Sequence, residues 1–441
     1  MEILILLVAV GFIVFATVRL KMHPIFSLVL AAIIAGFSFG MQPKALMDTI
    51  ADGFGKTLGS IGLVIAFGTV IGAYLEKTGA TNVLATSILK LVGLKHSPMA
   101  LNLAGFVVSI PVYCDSGFVI LSSLTSSLSK KSNIPKLVFA IALASGLYAA
   151  HVFVPPTPGP LAAAAILEAD LGLVLILGLV VAIPVSLVGC YWGKIIGPKL
   201  QELEVAQLRT ANLEQTKKTK TTSLKAFLPL VLPLVLIGLK SAAEYPTYPF
   251  GEGVVLNMLS LFGNPIIALL IGVLCCLPLA RGIEKSKQSQ WIIEALRSAG
   301  LIVLITGAGG AFGAVLRTVD MASMIPTAVN SVVGGLVTAF IIAALVKSAQ
   351  GSSTVAIITT AAILAPLMEN FGLVLVPQKA LLVLAIGAGA MTVSHINDSY
   401  FWVVSQLSNM DLKNSLLGHT IATFFQGVTA LVLIVILSFL V

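Results

Sequence analysis

Four short polar stretches interrupt long apolar segments of the chain, and they contain the side chains best suited to chemistry inside a membrane. Asp115 lies in YCDSGF, His151 begins HVFVPPTPGP, Lys347 begins KSAQGSST, and Asp398 lies in SHINDS. One Asp at the centre of a bilayer costs about 3 kcal/mol on insertion scales, so such residues usually have a function. A buried carboxylate or imidazole can bind a proton on one side of a membrane and release it on the other. The four stretches therefore predict a proton-coupled transport site.

The same stretches are predicted to break helices. Pro155, Pro156, Pro158 and Pro160 cannot continue a helix, because proline lacks an amide donor and its ring clashes with the preceding turn. Gly351 and the Ser, Thr and Asn residues of the last two stretches favour turns and caps. A helix that restarts after such a break points free N–H groups into the site, which favours an anionic substrate.

The elements around these stretches are predicted to be membrane-spanning helices. The 441 residues are 58% hydrophobic and 10% charged, and their mean hydropathy is +1.05. Apolar runs of about 17 to 20 residues, long enough to cross a bilayer, recur along the chain. Two longer apolar regions broken at their middle, 99–128 and 334–367, are predicted to be re-entrant hairpins. The predicted spans are 2–18, 24–40, 57–75, 136–167 (interrupted), 171–192, 226–240, 264–280, 299–316, 379–407 (interrupted) and 417–440.

The distribution of charge favours one orientation of these helices. With Arg19 and Lys21 in the cytoplasm, 20 of the 26 Lys and Arg residues fall on the cytoplasmic side, as the positive-inside rule requires. The net charge of +8 therefore follows from topology and indicates no nucleic-acid partner. The four cysteines lie in or beside apolar runs, so neither a disulfide framework nor a metal site nor another cofactor is expected. The predicted outer loops carry the acidic residues Glu168, Asp170, Glu244, Glu252 and Glu369.

Two pairs of segments in the chain are similar in sequence. GSIGLVIAFGTVIGAYL at 59–75 matches GLIVLITGAGGAFGAVL at 300–316. ASGLYAAH, which ends at His151, likewise matches AGAMTVSH, which ends at His395. Chance similarity between Gly- and Ala-rich helices is the alternative explanation, but it does not explain why hairpin, broken span and His recur in the same order.

These matches predict two repeats, residues 1–192 and 226–441, joined by a cytoplasmic linker at 193–225. Each repeat has about five spans and one hairpin, so the second copy is inverted in the membrane. Inverted repeats with interrupted helices are typical of secondary transporters. The predicted fold class is an all-α multi-pass membrane protein with two inverted-topology repeats.

At these motifs the sequence resembles the gluconate:proton symporter (gluconate permease) family, within the transporters that have paired hairpins. YCDSGF, HVFVPPTPGP, KSAQGSSTVAIITTAAILAP and GAGAMTVSHINDS look like that family's signature segments and occur in its order. The resemblance implies proton-coupled uptake of gluconate or a related small sugar acid or hydroxy acid across a bacterial inner membrane. Thr157 departs from the pattern, because many members have a second His there. The family also contains carriers for D-serine and glycerate-like acids.

The four stretches together are predicted to form one site near the middle of the bilayer. Asp115 and Asp398 are the predicted proton-coupling residues, and helix capping is the alternative role for both. For the histidines the alternative is a neutral ring bonded to a backbone carbonyl, and for Lys347 it is a side chain that reaches water. The predicted substrate-binding residues are Ser116, Gly117, His151, Thr157, Lys347, Gln350, Gly351, Ser352, Ser353, Thr354, His395, Asn397 and Ser399.

Three other functions are alternatives to a proton-coupled carrier. Sodium coupling is the nearest, because Ser, Thr, Asn and backbone carbonyl oxygens also bind hard cations. An intramembrane aspartyl protease would use two buried Asp residues, but it requires a Gly-x-Gly-Asp setting where this chain has HIND. A passive channel does not need two interrupted copies. The sequence therefore predicts a carrier and no enzyme activity, and analogy with other paired-hairpin transporters predicts a homodimer.

Overall fold

The computed structural model describes residues 19–93, 96–200, 222–244, 253–318, 331–396 and 398–440, together with Gly251 and isolated positions before residue 19. Within these residues the regular secondary structure is entirely helical. Six of the described helices are long and apolar enough to cross a bilayer, or eight if each of two bent pairs counts as one span. The predicted span at 2–18 and the predicted linker at 193–225 lie only partly within the described residues.

The described helices are numbered in chain order. Those before residue 200 are α1 (Pro24–Ser38), α2 (Pro43–Lys77), α3 (Ala80–Val92), α4 (Ser97–Ser109), α5 (Cys114–Ser132), α6 (Lys136–Phe153), α7 (Pro158–Ile166) and α8 (Leu171–Ile196). Those after residue 222 are α9 (Ser223–Ala243), α10 (Val254–Phe262), α11 (Pro265–Cys276), α12 (Lys285–Leu316), α13 (Val332–Gln350), α14 (Ser353–Leu364), α15 (Val376–Met391), α16 (Ser399–Leu407), α17 (Leu412–Ser415) and α18 (Ile421–Ser438). Helices α3 and α10 are additional to the predicted spans, because they are too short to fill a window of span length.

The longest helices, α2 and α12, pack against each other as an antiparallel pair. Gly53 near the start of α2 lies against Ala314 near the end of α12. Tyr74 near the end of α2 packs edge-on against Trp291 near the start of α12, with ring centroids 5.8 Å apart. The pair forms one wall of the two larger cavities described below.

Both helices of this pair begin well before the predicted spans, 57–75 and 299–316. The additional turns contain charged residues, such as Asp52 in α2 and Lys287 in α12. A hydropathy window detects the stretch that faces hydrocarbon, whereas packing against a neighbour keeps the polar turns helical. The two helices are therefore longer than the predicted spans that they contain.

Helix α6 lies at the centre of the fold. Every residue from Leu137 to Phe153 is buried, as expected for a helix that is hydrophobic on all sides. It packs against α4, α5, α8 and α15. The helix ends at Phe153 because Pro155 and Pro156 follow, and α7 restarts with Pro158 in its first turn, where a missing amide donor is tolerated.

Each of the four polar stretches lies at a break between two helices. The first separates α4 from α5, the second α6 from α7, the third α13 from α14, and the fourth α15 from α16. Across the fold, α5 packs against α16, and α7 packs against α14. These contacts bring the breaks, which are far apart in sequence, to one region beside α6.

Candidate functional site

A buried ion pair joins the third and fourth breaks. Lys347 Nζ lies 2.6 Å from Asp398 Oδ2, and the two side chains are only 1% and 6% exposed. The same ammonium donates a hydrogen bond to the Gly351 carbonyl at 2.6 Å. The Lys347 side chain therefore does not reach water in this structure. Its attraction to Asp398 offsets the cost of burying both charges.

The local backbone positions both partners of this pair. Helix α13 ends at Gln350, and Gly351 follows with a φ of +84°, a left-handed conformation that side chains rarely adopt. This turn places the Gly351 carbonyl within reach of Lys347, one helical turn earlier. Asp398 is the N-cap of α16, and its Oδ1 accepts a hydrogen bond from the Tyr400 N–H at 3.0 Å. Capping and ion pairing thus use different oxygens of one carboxylate.

A chain of hydrogen bonds leads from the ion pair to a histidine. The Ser394 hydroxyl donates to Asp398 Oδ2, and His419 Nε2 lies 3.2 Å from Ser394 Oγ. The Thr420 hydroxyl donates to the Ser394 carbonyl at 2.6 Å. The Ser394 N–H in turn donates to Thr423 Oγ1 at 3.0 Å. The N–H and the carbonyl of Ser394 are therefore both hydrogen-bonded, which fixes the backbone that carries its hydroxyl.

Sequence reasoning did not identify His419 as a site residue. The residue is 1% exposed and lies in a π-helical turn, Leu416–Thr420, a distortion often found at functional sites. One sequence signal could have revealed it. His419, Thr423 and Gln426 follow one another at spacings of four and three, which places polar side chains on one face of an apolar helix.

A second group of polar atoms lies at the first and second breaks. Tyr113 OH, Asp115 Oδ1 and His151 Nδ1 are buried and have no hydrogen-bond partner within the described part of the chain. The Tyr113 and His151 rings lie 6.0 Å apart, and both line a cavity of about 10 Å³, enough for one water molecule. Since buried polar atoms are nearly always hydrogen-bonded, we expect these three to bind water or a ligand.

Tyr113 also lines a larger cavity, here called the Tyr113 cavity. Its volume is about 180 Å³. Ser116 and Tyr113 line it on the side of the first break, and Glu76 and Glu294 line it on the side of α2 and α12. Tyr113 therefore lines both the small cavity beside His151 and a larger cavity that two carboxylates also line.

Contacts across the fold connect the two groups of polar residues. The Phe118 ring packs edge-on against Tyr400 at 6.3 Å, which joins α5 to α16. The Tyr148 hydroxyl of α6 hydrogen-bonds with the Ser353 side chain at the start of α14. The charges of Lys347 and Asp398 act on both Asp115 and His151. All four breaks thus contribute to one polar region.

The predicted site residues differ in their exposure. The buried ones are Gly117, His151, Thr157, Lys347, Gly351, Ser353 and Asp398. The half-buried ones are Asp115, Ser116, Gln350, Ser352, Thr354 and His395. Ser399 is exposed, and Asn397 lies outside the described residues.

Two of these residues also make hydrogen bonds that shape the breaks. The Thr157 hydroxyl donates to the Val154 carbonyl at 2.6 Å, where the prolines leave carbonyls without helical partners. Ser352 is the N-cap of α14, and its Oγ accepts from the Val355 N–H at 3.3 Å. Both therefore help to form the site geometry, whatever they contact in a substrate.

A third cavity, here called the Glu168 cavity, has a volume of about 970 Å³ and lies between α2, α7 and α12. Glu168 Oε1 lies 3.4 Å from Lys56 Nζ and 3.3 Å from Arg317 Nη1 at its edge. Arg317 also donates to the Ile166 carbonyl at 2.8 Å. Partial burial by itself raises the pKa of Glu168, but Arg317 and Lys56 outweigh it and lower the pKa below its ordinary value.

We expect Glu168→Gln to lower the melting temperature slightly at neutral pH and not at acidic pH. A lowered pKa means that the ionised Glu168 stabilises the folded state above its unfolded pKa of about 4.3, and that this contribution is lost as pH falls through the folded value. Because half of the side chain is exposed, the effect is at most about 1 kcal/mol. Thermal unfolding across this pH range measures it. Glu369→Gln, at another exposed carboxylate, is the control for the loss of one surface negative charge.

Comparison with known proteins decides the family. The sequence matches the GntP family permease model over residues 1–440. The chain belongs to the GntP permease family. This permease is 33% identical over 445 residues to a gluconate permease of Pseudomonas aeruginosa, an alignment that covers 98% of this chain and 96% of the relative. It is 31% identical over 442 residues to the D-serine transporter DsdX of Escherichia coli O6:H1, covering 99% of this chain and 98% of the relative.

The fold of the permease is similar to that in a crystal structure of the Alcanivorax borkumensis YdaH transporter. The TM-score is 0.60 at 16% sequence identity, and the match covers 90% of each chain. At that identity the likeness concerns the fold alone. With its family membership, the permease is a transporter and not an enzyme, and it is a multi-pass protein of the inner membrane.

Proposed function

We propose that the permease is a symporter that takes up gluconate, or a related small sugar acid or hydroxy acid, together with protons. The observation that supports this most directly is the buried pair of Lys347 and Asp398, 2.6 Å apart. An ammonium that binds one carboxylate at this distance can equally bind the carboxylate of a substrate. Relatives named gluconate permease and D-serine transporter support a small acid as the cargo.

In this proposal, substrate and proton transport are coupled because the substrate carboxylate and Asp398 compete for the ammonium group of Lys347. When a substrate carboxylate takes Lys347, Asp398 loses its counter-charge. Because an unpaired carboxylate is costly in an apolar site, Asp398 then binds a proton. Release of the substrate frees the ammonium, which pairs with Asp398 again as the proton leaves. One proton thus moves with each substrate carboxylate.

The substrate carboxylate would lie between Lys347 and the first turn of α14. That turn offers backbone N–H groups and the side chains of Ser352, Ser353 and Thr354, which suit an anion. Gln350 and Gly351 form the neighbouring turn. The substrate hydroxyls would lie toward His151, whose Nδ1 has no hydrogen-bond partner in the described part of the chain. They would also reach the remaining predicted residues, namely Ser116, Gly117, Thr157, His395, Asn397 and Ser399.

Asp115 is proposed as a second group that exchanges protons. Its Oδ1 is buried without a hydrogen-bond partner among the described residues, and it is next in sequence to Ser116, which lines the Tyr113 cavity. A proton on Asp115 would reduce repulsion between this carboxylate and an entering anion. Its role in this proposal is therefore to admit the substrate, whereas Asp398 sets the stoichiometry.

We also propose that residues 1–192 and 226–441 are inverted repeats. The matched segments 59–75 and 300–316 lie in α2 and α12, which run antiparallel, and opposite directions are what an inverted pair requires. Both parts also contain a helix pair with a polar break followed by an interrupted apolar segment. A homodimer is proposed on the fold analogy alone.

Uptake by membrane vesicles tests the transport proposal. We expect labelled gluconate to accumulate in vesicles when the interior is alkaline, by about tenfold for a gradient of one pH unit and one proton per anion. A protonophore should abolish the accumulation, and a sodium gradient should not replace the pH gradient. Unlabelled aldonates, glycerate and D-serine added as competitors would rank the substrates.

Two outcomes would favour the alternatives. Accumulation that follows the sodium gradient and ignores pH would indicate a sodium-coupled carrier of the same fold. Accumulation of D-serine or glycerate under the pH gradient, with no accumulation of any aldonate, would keep the coupling and change the substrate. No accumulation of any of these acids under either gradient would contradict the proposal.

A further inference from the structure

The directions of the hydrogen bonds between His419 and Asp398 follow from the number of protons available. Ser394 has one hydroxyl proton, and it donates that proton to Asp398 Oδ2. The Ser394 oxygen can then only accept from His419, so His419 Nε2, 3.2 Å away, is the donor. His419 thus donates to Ser394, and Ser394 donates to Asp398.

Among the described residues, Ser394 connects His419 to the ion pair by hydrogen bonds, whereas the other polar side chains around the imidazole bond elsewhere. The rings of Tyr148 and Tyr400 pack on the imidazole, with centroids 6.3 Å and 5.3 Å away. The Tyr400 hydroxyl donates to the Ala144 carbonyl at 3.0 Å, and Tyr148 bonds with groups on α14 and α15. The charged groups that act on His419 are Asp398 and Lys347.

His419 is also close in sequence to a solvent-exposed turn. Leu412 and Lys413 at the start of α17 are exposed, and Asp411 caps this helix through the Asn414 N–H. Lys413 and His419 are six positions apart along the helix, a rise of about 9 Å. The predicted topology places this turn in the cytoplasm, so His419 lies between the cytoplasmic surface and the buried ion pair.

We propose that His419 and Ser394 form a relay through which the coupled proton leaves Asp398 for the cytoplasm. Asp398 Oδ2 gives its proton to the Ser394 oxygen, Ser394 passes its own hydroxyl proton to His419 Nε2, and His419 releases the proton on Nδ1 toward the cytoplasm. Asp398 becomes ionised, and Ser394 and His419 each end with as many protons as before, in the hydrogen-bonded arrangement that the structure shows. The same sequence in reverse protonates Asp398 from the cytoplasmic side. This inference rests on the proposed proton coupling of Asp398.

The first test compares two modes of transport in Ser394→Ala and His419→Gln. Exchange of labelled for unlabelled gluconate requires no net proton release, whereas accumulation driven by a pH gradient does. We expect the rate of accumulation to fall by about a hundredfold, the scale of a lost proton-transfer group, and exchange to fall far less. Ser405→Ala is the matched control, because it removes a comparably buried hydroxyl whose hydrogen bond within the described part of the chain is to the Phe401 carbonyl of the same helix. Ser394→Thr, which keeps a hydroxyl, should recover part of the accumulation.

The second test needs no substrate. In a variant with Trp192→Phe and Trp291→Phe, the remaining Trp402 reports on the fourth break, because its Nε1 donates to the Ile396 carbonyl at 2.8 Å. After a rapid pH jump we expect the fluorescence of this variant to relax, and to relax much more slowly when Ser394→Ala or His419→Gln is added.

Several outcomes would overturn the relay. The relay would be excluded if Ser394→Ala and His419→Gln reduced exchange and accumulation equally, or if these variants accumulated gluconate as well as Ser405→Ala does. It would also be excluded if neither substitution changed the relaxation rate after the pH jump. A parent variant whose fluorescence does not respond to pH would also count against it. If the wild type failed to accumulate gluconate, the proposed function would fail on that result, and the pH-jump rates would still decide the relay.

Discussion

Asp398→Asn is expected to abolish accumulation driven by a pH gradient while the permease still exchanges substrate. An amide keeps the shape of the carboxyl group and the N-cap of α16 but cannot take up and release a proton. Labelled gluconate should then equilibrate across the vesicle membrane, instead of reaching the roughly tenfold gradient that one pH unit supports. Exchange and accumulation measured in the same vesicles separate loss of coupling from loss of transport.

The same substitution should destabilise the fold, and this effect needs its own control. Removing one partner of a buried ion pair leaves the other charge unpaired, at a cost of about 3–5 kcal/mol. Lys347, only 1% exposed, would be that charge. The double variant Lys347→Met with Asp398→Asn removes both charges, so we expect its melting temperature to recover while accumulation stays absent. If either variant accumulated gluconate as the wild type does, Asp398 would have no role in coupling.

Gly72→Ala is expected to reduce uptake strongly, because this glycine is where α2 touches the first break. A Cβ added at Gly72 would lie 2.2 Å from the Pro111 carbonyl oxygen. That atom belongs to the backbone, so either α2 or the turn at Pro111–Tyr113 must move. Overpacking of this kind costs about 1–3 kcal/mol. The displaced turn also carries Tyr113 and precedes Asp115, and a shift of about 1 Å in such a site can cost a hundredfold in rate.

Gly59→Ala in the same helix provides the matched control. A Cβ at Gly59 would meet no atom within 4 Å, and alanine stabilises a helix by about 1 kcal/mol relative to glycine. We expect Gly59→Ala to transport normally and to melt at the same or a slightly higher temperature. Initial rates of gluconate uptake and melting temperatures of the two variants test the comparison. Similar uptake by both would show that the close approach of α2 to Pro111 does not position the site.

The sequence by itself determined most of the helical segments, where four of them break and that the protein is a membrane transporter. These features are local, which is why they could be predicted. Apolar runs of span length identify membrane helices, and prolines such as Pro155 and Pro156 end a helix wherever they occur. The cost of burying Asp115 or Asp398 is likewise a property of one residue and its immediate neighbours. The same reasoning underestimated α2 and α12, because their polar turns are stabilised by packing against each other and not by their own hydropathy.

Only the tertiary structure decided which polar groups meet. Lys347 and Asp398 are separated by 51 positions in the sequence, and Ser394 and His419 by 25. Whether such residues pair depends on the angles at which α13, α16 and the π-helical turn approach one another. No local propensity encodes those angles. In the sequence alone, His419 is one polar residue near the start of an apolar helix. It lies beside the ion pair, buried, because the turn at Leu416–Thr420 packs against the break before α16.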